Sequence, residues 1–245
     1  MDLREFDNQS TNRHPWETAR LKALSTILRP HLFERIKVLD VGCGDGFIST
    51  GLFSHLGAKK VTAVDINLSD EQIDAFNQAS NKITYTREIP GDAQFDLVLL
   101  LDVLEHIKND AGFLAAIVKD QLQSSGRILI TVPAFQSIYG QHDINLGHFR
   151  RYHLESLEKL ATTTGLKIIS SGYLFTSLLI PKYLICTILK INPYAKGIGQ
   201  WDGGRLLTWT LEVLLNIDNS LLLFLARFGI KLPGLSGWIL CEKPE

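Results

Sequence analysis

The fold of this chain is decided by the stretch Val38-Leu39-Asp40-Val41-Gly42-Cys43-Gly44-Asp45-Gly46. An apolar segment runs directly into three glycines with the spacing G-x-G-x-G, and Phe47 then begins a segment with helical character. Glycine is required where a backbone turns sharply after a strand and lets a ligand approach, because a Cβ atom there would collide. The stretch therefore predicts a strand, a ligand-binding loop and a helix in succession.

A second acidic residue follows the next apolar segment. Residues 60–64 are predicted to form a strand, and Asp65 and Ile66 come directly after it. A carboxylate at the end of a strand, about 20 residues after a glycine loop, is the usual partner of ribose hydroxyls. A dinucleotide would need the spacing G-x-G-x-x-G, and Asp40 and Asp45 would repel its pyrophosphate. The same acids suit a ligand that carries an ammonium and a sulfonium group.

Strand and helix patterns alternate along the chain, which predicts an α/β fold with an open parallel sheet and ligands at the carboxyl ends of its strands. A single domain is expected over residues 1–245, with a helical cap at 1–30 and a hydrophobic helical insert at 174–233 before the last strand. The predicted strands are Lys37–Val41, Val61–Asp65, Phe95–Leu101, Gly126–Val132, Leu166–Tyr173 and Gly237–Glu242. The predicted helices are Trp16–Leu28, Phe47–Leu56, Asp70–Ala79, Asp110–Gln121 and Leu154–Thr164.

Composition narrows the classes of partner. The 25 basic and 26 acidic residues nearly cancel, so nothing favours nonspecific binding to nucleic acid. The three cysteines are far apart in sequence, which fits a reducing compartment and neither a disulfide framework nor a zinc site. The N-terminus is polar and lacks the apolar core of a signal peptide, so we expect a cytoplasmic protein. The sequence does not indicate an oligomeric state.

These motifs resemble the class I methyltransferases that depend on S-adenosylmethionine. Residues 40–46 match the family's glycine motif, 95–101 its central strand, and 102–106 the "LEH" signature of ubiquinone-pathway O-methyltransferases and related small-molecule enzymes. The resemblance implies a Rossmann-like sheet with the strand order 3-2-1-4-5-7-6 and S-adenosylmethionine as cofactor. It implies that the cofactor is bound by Arg20, Asp40, Gly42, Cys43, Gly44, Gly46, Asp65, Ile66 and Asp102.

Three of the signature's residues could instead bind a metal. Asp102, Glu105 and His106 are spaced i, i+3, i+4 and would share one face of a helix, a workable arrangement for a divalent cation. The alternative is a helix N-terminal turn in which acids interact favourably with the helix dipole. We expect no metal, because most relatives with this signature are metal-free.

The polar and aromatic segment at 139–152 follows the fifth strand and should overhang the ligand crevice. His142 is the expected general base, because an imidazole titrates near pH ~6.5, and Asp143 would orient it or act itself. His148, Arg151 and Tyr152 are the expected substrate contacts. An equally weighted alternative is that these side chains only pin the loop through hydrogen bonds. The segment also resembles bacterial methyltransferases linked with lipid or polysaccharide assembly.

The insert at 174–233 admits two interpretations, a lid over the site or an apolar element that contacts a membrane surface. Charges and prolines interrupt both of its hydrophobic runs within about 18 residues, which argues against a spanning helix. The function expected is S-adenosylmethionine-dependent O-methylation of a small or lipid-linked acceptor. The alternatives are a non-catalytic cofactor-binding module with a membrane or partner surface and, last, a nicotinamide oxidoreductase.

Overall fold

A computed structural model describes residues 13–33, 36–54, 60–91, 93–184, 201 and 203–245. One seven-stranded sheet has the order β3-β2-β1-β4-β5-β7-β6, which confirms the α/β class and the predicted strand order. Strand β7 is antiparallel to both of its neighbours, and the other pairs are parallel. The strands are β1 (Lys37–Val41), β2 (Lys60–Val64), β3 (Ile83–Thr86), β4 (Phe95–Leu101), β5 (Leu122–Pro133), β6 (Lys167–Leu174) and β7 (Ser236–Glu242).

Helices cover both faces of this sheet. They are α1 (Pro15–Leu28), α2 (Phe47–Phe53), α3 (Asp70–Ala79), α4 (Asp110–Ala116), α5 (Gln141–Leu146), α6 (Leu154–Thr163), α7 (Thr176–Tyr183) and α8 (Arg205–Ala226). Leu97 and Leu99 of β4 belong to a core shared with α1, α2 and α8, whereas Val98 and Leu100 belong to a second core with α4 and α6. This alternation follows from the two-residue period of a strand, and it explains why β4 is apolar throughout.

The N-terminal cap and the hydrophobic insert are only partly described. Helix α1 begins at Pro15 and has His14 as its N-cap, so the part of the predicted cap at residues 1–12 lies outside the described residues. The insert contains α7 and α8, and residues 185–200 between them are likewise outside. Helix α8 is, within the described part of the chain, one helix that is long and apolar enough to cross a membrane. Helix α8 runs for 22 residues without interruption, because neither Glu212 nor Asp218 ends it.

Candidate functional site

The glycine loop has the backbone geometry that its sequence demands. Gly42, Gly44 and Gly46 have φ values of 74°, 57° and 73°, in the left-handed region that other residues avoid. A Cβ atom on Gly42 would lie 2.7 Å from Cγ2 of Val103, so the loop packs directly against the segment that follows β4. The loop between β1 and α2 therefore exposes backbone where a side chain would otherwise stand.

Asp65 links the glycine loop to the end of β2. One carboxylate oxygen accepts a hydrogen bond from the Gly44 amide at 2.9 Å, and the other accepts one from the Asn67 amide at 2.9 Å. Each carboxylate oxygen can accept two hydrogen bonds, so both retain capacity for ligand hydroxyls. Ile66 beside it is 80% exposed, which leaves an apolar surface next to the carboxylate. The arrangement fits a ribose held at the carboxyl ends of β1 and β2.

Arg20 of α1 reaches the carboxyl ends of β4 and β5. Its guanidinium donates to Oγ1 of Thr131 at 2.8 Å and forms an ion pair with Asp102 at 2.6 Å. The Thr131 hydroxyl in turn donates to Asp102 at 3.0 Å. Arg20 is nearly buried, so it is fixed by this network and is not a solvated helix arginine. Thr131 has no signal in the sequence, because the contact spans 111 residues.

Acidic groups surround the glycine loop, and several of their buried oxygens accept no hydrogen bond from the described residues. Asp40 is buried and accepts from the Ser49 hydroxyl at 2.6 Å, which ties β1 to α2. Burial raises the pKa of the Asp40 carboxyl to about 6. Its second oxygen and both oxygens of Glu17 are buried without a hydrogen-bond partner among the described residues, and Glu17 forms an ion pair with Arg13 at 3.6 Å. Such a set of acids fits a cationic ligand and disfavours a pyrophosphate.

Burial of Cys43 raises the pKa of its thiol, so it is not a nucleophile.

The signature after β4 does not form the shared helical face that its spacing predicted. Asp102 has a φ of 58°, and only Leu104–His106 form a short 3-10 turn. The Asp102 carboxylate pairs with Arg20 and accepts a hydrogen bond from Thr131. Asp102 does not belong to the group of possible metal ligands that the structure brings together, and metal binding by Asp102, Glu105 and His106 stays an untested alternative.

A different trio comes together instead. Potential ligand atoms of Glu105, His106 and His148 all lie within 4.8 Å of one another, a grouping that could hold a metal ion. His148 arrives because the Phe149 amide donates to the Glu105 carbonyl at 2.7 Å. The Glu105 side chain is completely buried, and its oxygens have no hydrogen-bond partner within the described ranges. Burial raises the pKa of this carboxyl well above its usual value. A protonated acid explains its burial as well as a bound cation does, and the expectation of no metal stays a prediction.

Asp143 organises the segment after β5, where a short helix, α5, replaces the expected loop. Its carboxylate accepts from Nε of Arg151 at 2.7 Å, from the Gly140 amide at 2.9 Å, and pairs with Nδ1 of His148 at 2.9 Å. These donors hold the pKa of Asp143 below its usual value despite its burial, so it is a poor proton acceptor. The contacts favour a positioning role over a direct catalytic one.

His142 stands beside this network. Its ring centroid lies 6.5 Å from that of His148, and burial, followed by the charge of Lys182, lowers the imidazole pKa to about 4. The ring is therefore neutral near pH 7 and able to accept a proton, although it is a weaker base than a solvated histidine.

The three residues expected to contact substrate all have internal partners. Arg151 is buried and also donates to the Ala134 carbonyl at 3.2 Å. The Tyr152 hydroxyl donates to Asp110 at 2.7 Å, and His148 pairs with Asp143. These contacts favour the alternative in which the side chains pin the segment, and substrate contact by them stays a prediction.

Comparison with known proteins agrees with this geometry. A family profile described as a methyltransferase domain matches residues 11–171. A ubiquinone biosynthesis O-methyltransferase from Rickettsia bellii is 28% identical over 159 residues, which cover 56% of this chain and 64% of the relative. The chain thus spans slightly less than two thirds of the length of that relative.

Solved structures share the fold at low identity. The N-methyltransferase NodS from Bradyrhizobium japonicum, in complex with S-adenosylhomocysteine, superimposes with a TM-score of 0.59 at 15% identity, over 99% of this chain and 96% of that one. The [4+2]-cyclase SpnF gives a TM-score of 0.58 at 16% identity, over 98% of this chain and 85% of that one. Proteins with this fold therefore carry out more than one kind of chemistry.

Proposed function

The chain belongs to the methyltransferase domain family, and from that premise we propose that it transfers a methyl group to an oxygen atom of a small acceptor. S-adenosylmethionine is the cofactor of this family and the methyl donor in the proposal. The single observation that carries the proposal is the hydrogen bond that the Gly44 amide donates to the Asp65 carboxylate. This hydrogen bond joins the acid that we propose binds the ribose to the glycine loop, at the ends of two adjacent parallel strands where this class of sheet binds nucleosides.

The residues around the loop suit the rest of the cofactor. The oxygens of Glu17 and Asp40 that accept no hydrogen bond from the described residues offer acceptors for an ammonium group, although Glu17 also pairs with Arg13. The Arg20 guanidinium, although paired with Asp102, is the nearby partner for a carboxylate. Ile66 offers apolar surface for a base. These assignments are part of the proposal, and each can be tested by substitution.

The chemistry asks little of the protein besides alignment and proton removal. When bound, S-adenosylmethionine supplies an electrophilic methyl group on a positively charged sulfur. A ring nitrogen of His142 accepts the proton of the acceptor hydroxyl as its oxygen is methylated. Asp143 and His148 hold the α5 segment in place, and the glycine loop and Arg20 fix the position of the donor. Alignment of the reactants accounts for most of the rate enhancement in such a reaction.

The named relatives support an oxygen acceptor. The curated relatives that match this chain are ubiquinone biosynthesis O-methyltransferases, whereas the N-methyltransferases among the solved structures share 15% to 18% identity. A lipid-linked acceptor is the finer form of the proposal. It is supported by the apolar character of α7 and α8 and by the sequence resemblance of the 139–152 segment.

A cofactor-binding protein without methyl transfer is the competing function. The fold similarity to the cyclase SpnF favours it, because that comparison separates the fold from the methyl transfer reaction. Both functions require cofactor binding, and only the first requires His142. The two are separated by measuring binding and turnover in the same set of variants.

The first experiment is calorimetric titration with S-adenosylhomocysteine. Asp65→Ala should abolish measurable binding. The control is Asp120→Ala, which changes an exposed acid that follows β4 in the sequence and should bind normally. Near-normal affinity of the Asp65 variant would contradict the proposed role of Asp65 in cofactor binding.

The second experiment measures turnover with methyl-labelled S-adenosylmethionine and metabolite extracts as the source of acceptors. The wild-type protein should label at least one acceptor, and His142→Ala should lower that labelling about 10²- to 10⁴-fold while retaining cofactor affinity. Binding without labelling in any extract would favour the non-catalytic function.

A further inference from the structure

Helix α8 exposes an apolar face along its whole length. We call this the outward face of α8, and its large side chains are between 36% and 77% exposed. It consists of Leu206, Leu207, Trp209, Val213, Leu214, Ile217, Leu221 and Phe224. Contiguous apolar surface of this kind is unusual on a soluble monomer and marks a site of contact with a membrane or a protein.

The opposite side of α8 is already packed. Leu215, Asn219, Leu222 and Leu223 are buried, and the helix contacts α1 and β6. The Asn219 side chain accepts a hydrogen bond from the Phe175 amide at 3.0 Å, and this bond ties α8 to the start of α7. The inner side of the helix alone therefore accounts for its attachment to the sheet.

Charge is arranged around the outward face and not within it. Among the described residues from 206 to 224, no charged side chain is exposed. The two acids of the helix, Glu212 and Asp218, are half-buried, and Asp218 accepts from both the amide and the hydroxyl of Ser177. Exposed basic residues lie at the two ends, with Arg205 at the N-terminus and Arg227 directly after the C-terminus. Lys231, farther along the chain, pairs with Glu158 at 2.6 Å.

Aromatic and aliphatic neighbours extend the surface. Phe228 is 68% exposed, and its ring lies 5.1 Å from that of Phe224. Helix α7, which contacts α8, adds Ile180 and Tyr183 at 63% and 43% exposure. Aromatic side chains together with basic ends are characteristic of helices that lie in the interfacial region of a bilayer.

We propose that the outward face of α8 docks on the surface of an anionic lipid bilayer, with the helix axis in the plane of the membrane. The apolar side chains enter the boundary between headgroups and acyl chains, and the basic ends pair with lipid phosphates. Docking in this orientation leaves the packing of α8 on α1 and β6 intact.

Two alternatives to docking on a bilayer surface, a membrane-spanning α8 and a second copy of the chain, fit the outward face of α8 less well. A spanning helix is permitted by length, since 22 residues extend about 33 Å. It would, however, have to detach Leu215, Leu222 and Leu223 from the core. A second copy of the chain paired through a two-fold axis would bring basic ends together in either helix direction, and like charges repel. Anionic lipid is the partner whose charge complements both ends.

Helix α7, which contacts α8, lies on the side of the molecule that carries His142. Lys182 of α7 is near enough to His142 for its charge to contribute, after burial, to the lowered pKa of that imidazole. An acceptor drawn from the bilayer would then enter beside His142. This last link rests on the proposed function, whereas docking itself does not.

Vesicle co-sedimentation tests the docking directly. Wild-type protein should sediment with vesicles of phosphatidylcholine and phosphatidylglycerol and remain mostly in the supernatant with phosphatidylcholine alone. Leu214→Glu combined with Ile217→Glu should weaken binding at least tenfold. The matched control is Phe33→Glu, which changes an equally exposed apolar residue outside α8 and should bind as wild type does. Arg205→Glu with Arg227→Glu should weaken binding about fivefold for each charge removed.

Each contrary result overturns the proposal. Wild-type protein that stays in the supernatant with anionic vesicles excludes docking. A concentration-dependent dimer in solution that Leu214→Glu with Ile217→Glu dissolves assigns the face to a second copy. Extraction from membranes only by detergent, and not by alkaline carbonate, assigns α8 to a spanning role. S-adenosylhomocysteine titration of the same variants keeps the outcome separate from that of the proposed function, because cofactor binding should be unchanged.

Discussion

The protonation state of Glu105 follows from its surroundings. Desolvation raises its pKa most, the charge of Asp102 adds to the shift, and Arg20 and Arg151 oppose it. His106 and His148 lie against the carboxyl as well. With no hydrogen-bond partner for its oxygens in the described part of the chain, a neutral acid is the form that this environment favours.

Glu105→Gln should therefore be tolerated. In the unfolded chain this carboxyl loses its proton near pH ~4.3, whereas in the folded protein it keeps it to higher pH. Wild-type stability accordingly falls as the pH rises above that value, and the glutamine variant lacks this loss. Urea unfolding at pH 5, 6 and 7 should give a variant at least as stable as wild type at pH 7, with a shallower pH slope. Glu155→Gln, at an exposed position, is the control and should leave the slope unchanged. A cation-dependent loss of stability in the variant, accompanied by Mn²⁺ binding to wild type, would instead assign a metal to the cluster.

The pH dependence of turnover should report His142. Because burial lowers its imidazole pKa to about 4, the ring is unprotonated throughout pH 6 to 8, and kcat should be flat there. The acid limb should appear below pH 5, and it should be lost in His142→Ala together with most of the activity. The exposed His153 supplies the control, since His153→Ala should keep the wild-type profile. An acid limb centred near pH 6.5 would mean that another histidine accepts the proton.

At the scale of elements, the glycine loop depends on its backbone conformation. Gly42→Ala introduces a Cβ at a φ of 74° and within 2.7 Å of Val103. We expect a loss of about 1–3 kcal/mol in the free energy of unfolding, together with weaker S-adenosylhomocysteine binding. Gly91→Ala is the matched control, because a Cβ there meets nothing within 4 Å, and it should change neither quantity. Equal stability of the two variants would contradict the account of the loop.

The elements with a clear period were predictable, and those set by capping or distant packing were not. The apolar run of β4 and the glycines after β1 specify their structure locally. Strand β3 was missed because it is short and only Ile83 and Tyr85 are buried. Helix α5 has no apolar period, and it begins where Asp143 accepts from the Gly140 amide. The left-handed backbone at Asp102 has no signal in the sequence, so the i, i+3, i+4 spacing does not by itself show whether these residues share a helical face.

At the scale of the whole molecule, the nucleoside end of the site was predictable and the acceptor end was not. The glycine loop and Asp65 lie within one strand–helix–strand unit, so their proximity follows from local topology. The contact between Arg20 and Thr131 joins segments that are far apart in sequence, as does that between Glu105 and His148. Side chains such as Arg151 were expected to contact substrate, because sequence alone does not reveal whether a polar group already has a partner within the protein.

Cofactor binding should stabilise the entire fold, because the proposed site joins α1 to the ends of β1, β2, β4 and β5. A ligand that binds only the folded state at 100 times its Kd adds about 2.7 kcal/mol to the free energy of unfolding. For a chain of this size that corresponds to a rise in Tm of about 5–10 °C. Thermal unfolding with saturating S-adenosylhomocysteine should show this rise in wild type and in the α8 double variant Leu214→Glu with Ile217→Glu. It should be absent in Asp65→Ala, whose unliganded Tm provides the baseline. A shift of equal size in Asp65→Ala would place the nucleoside away from the glycine loop, and the loop would then be only a tight turn between β1 and α2.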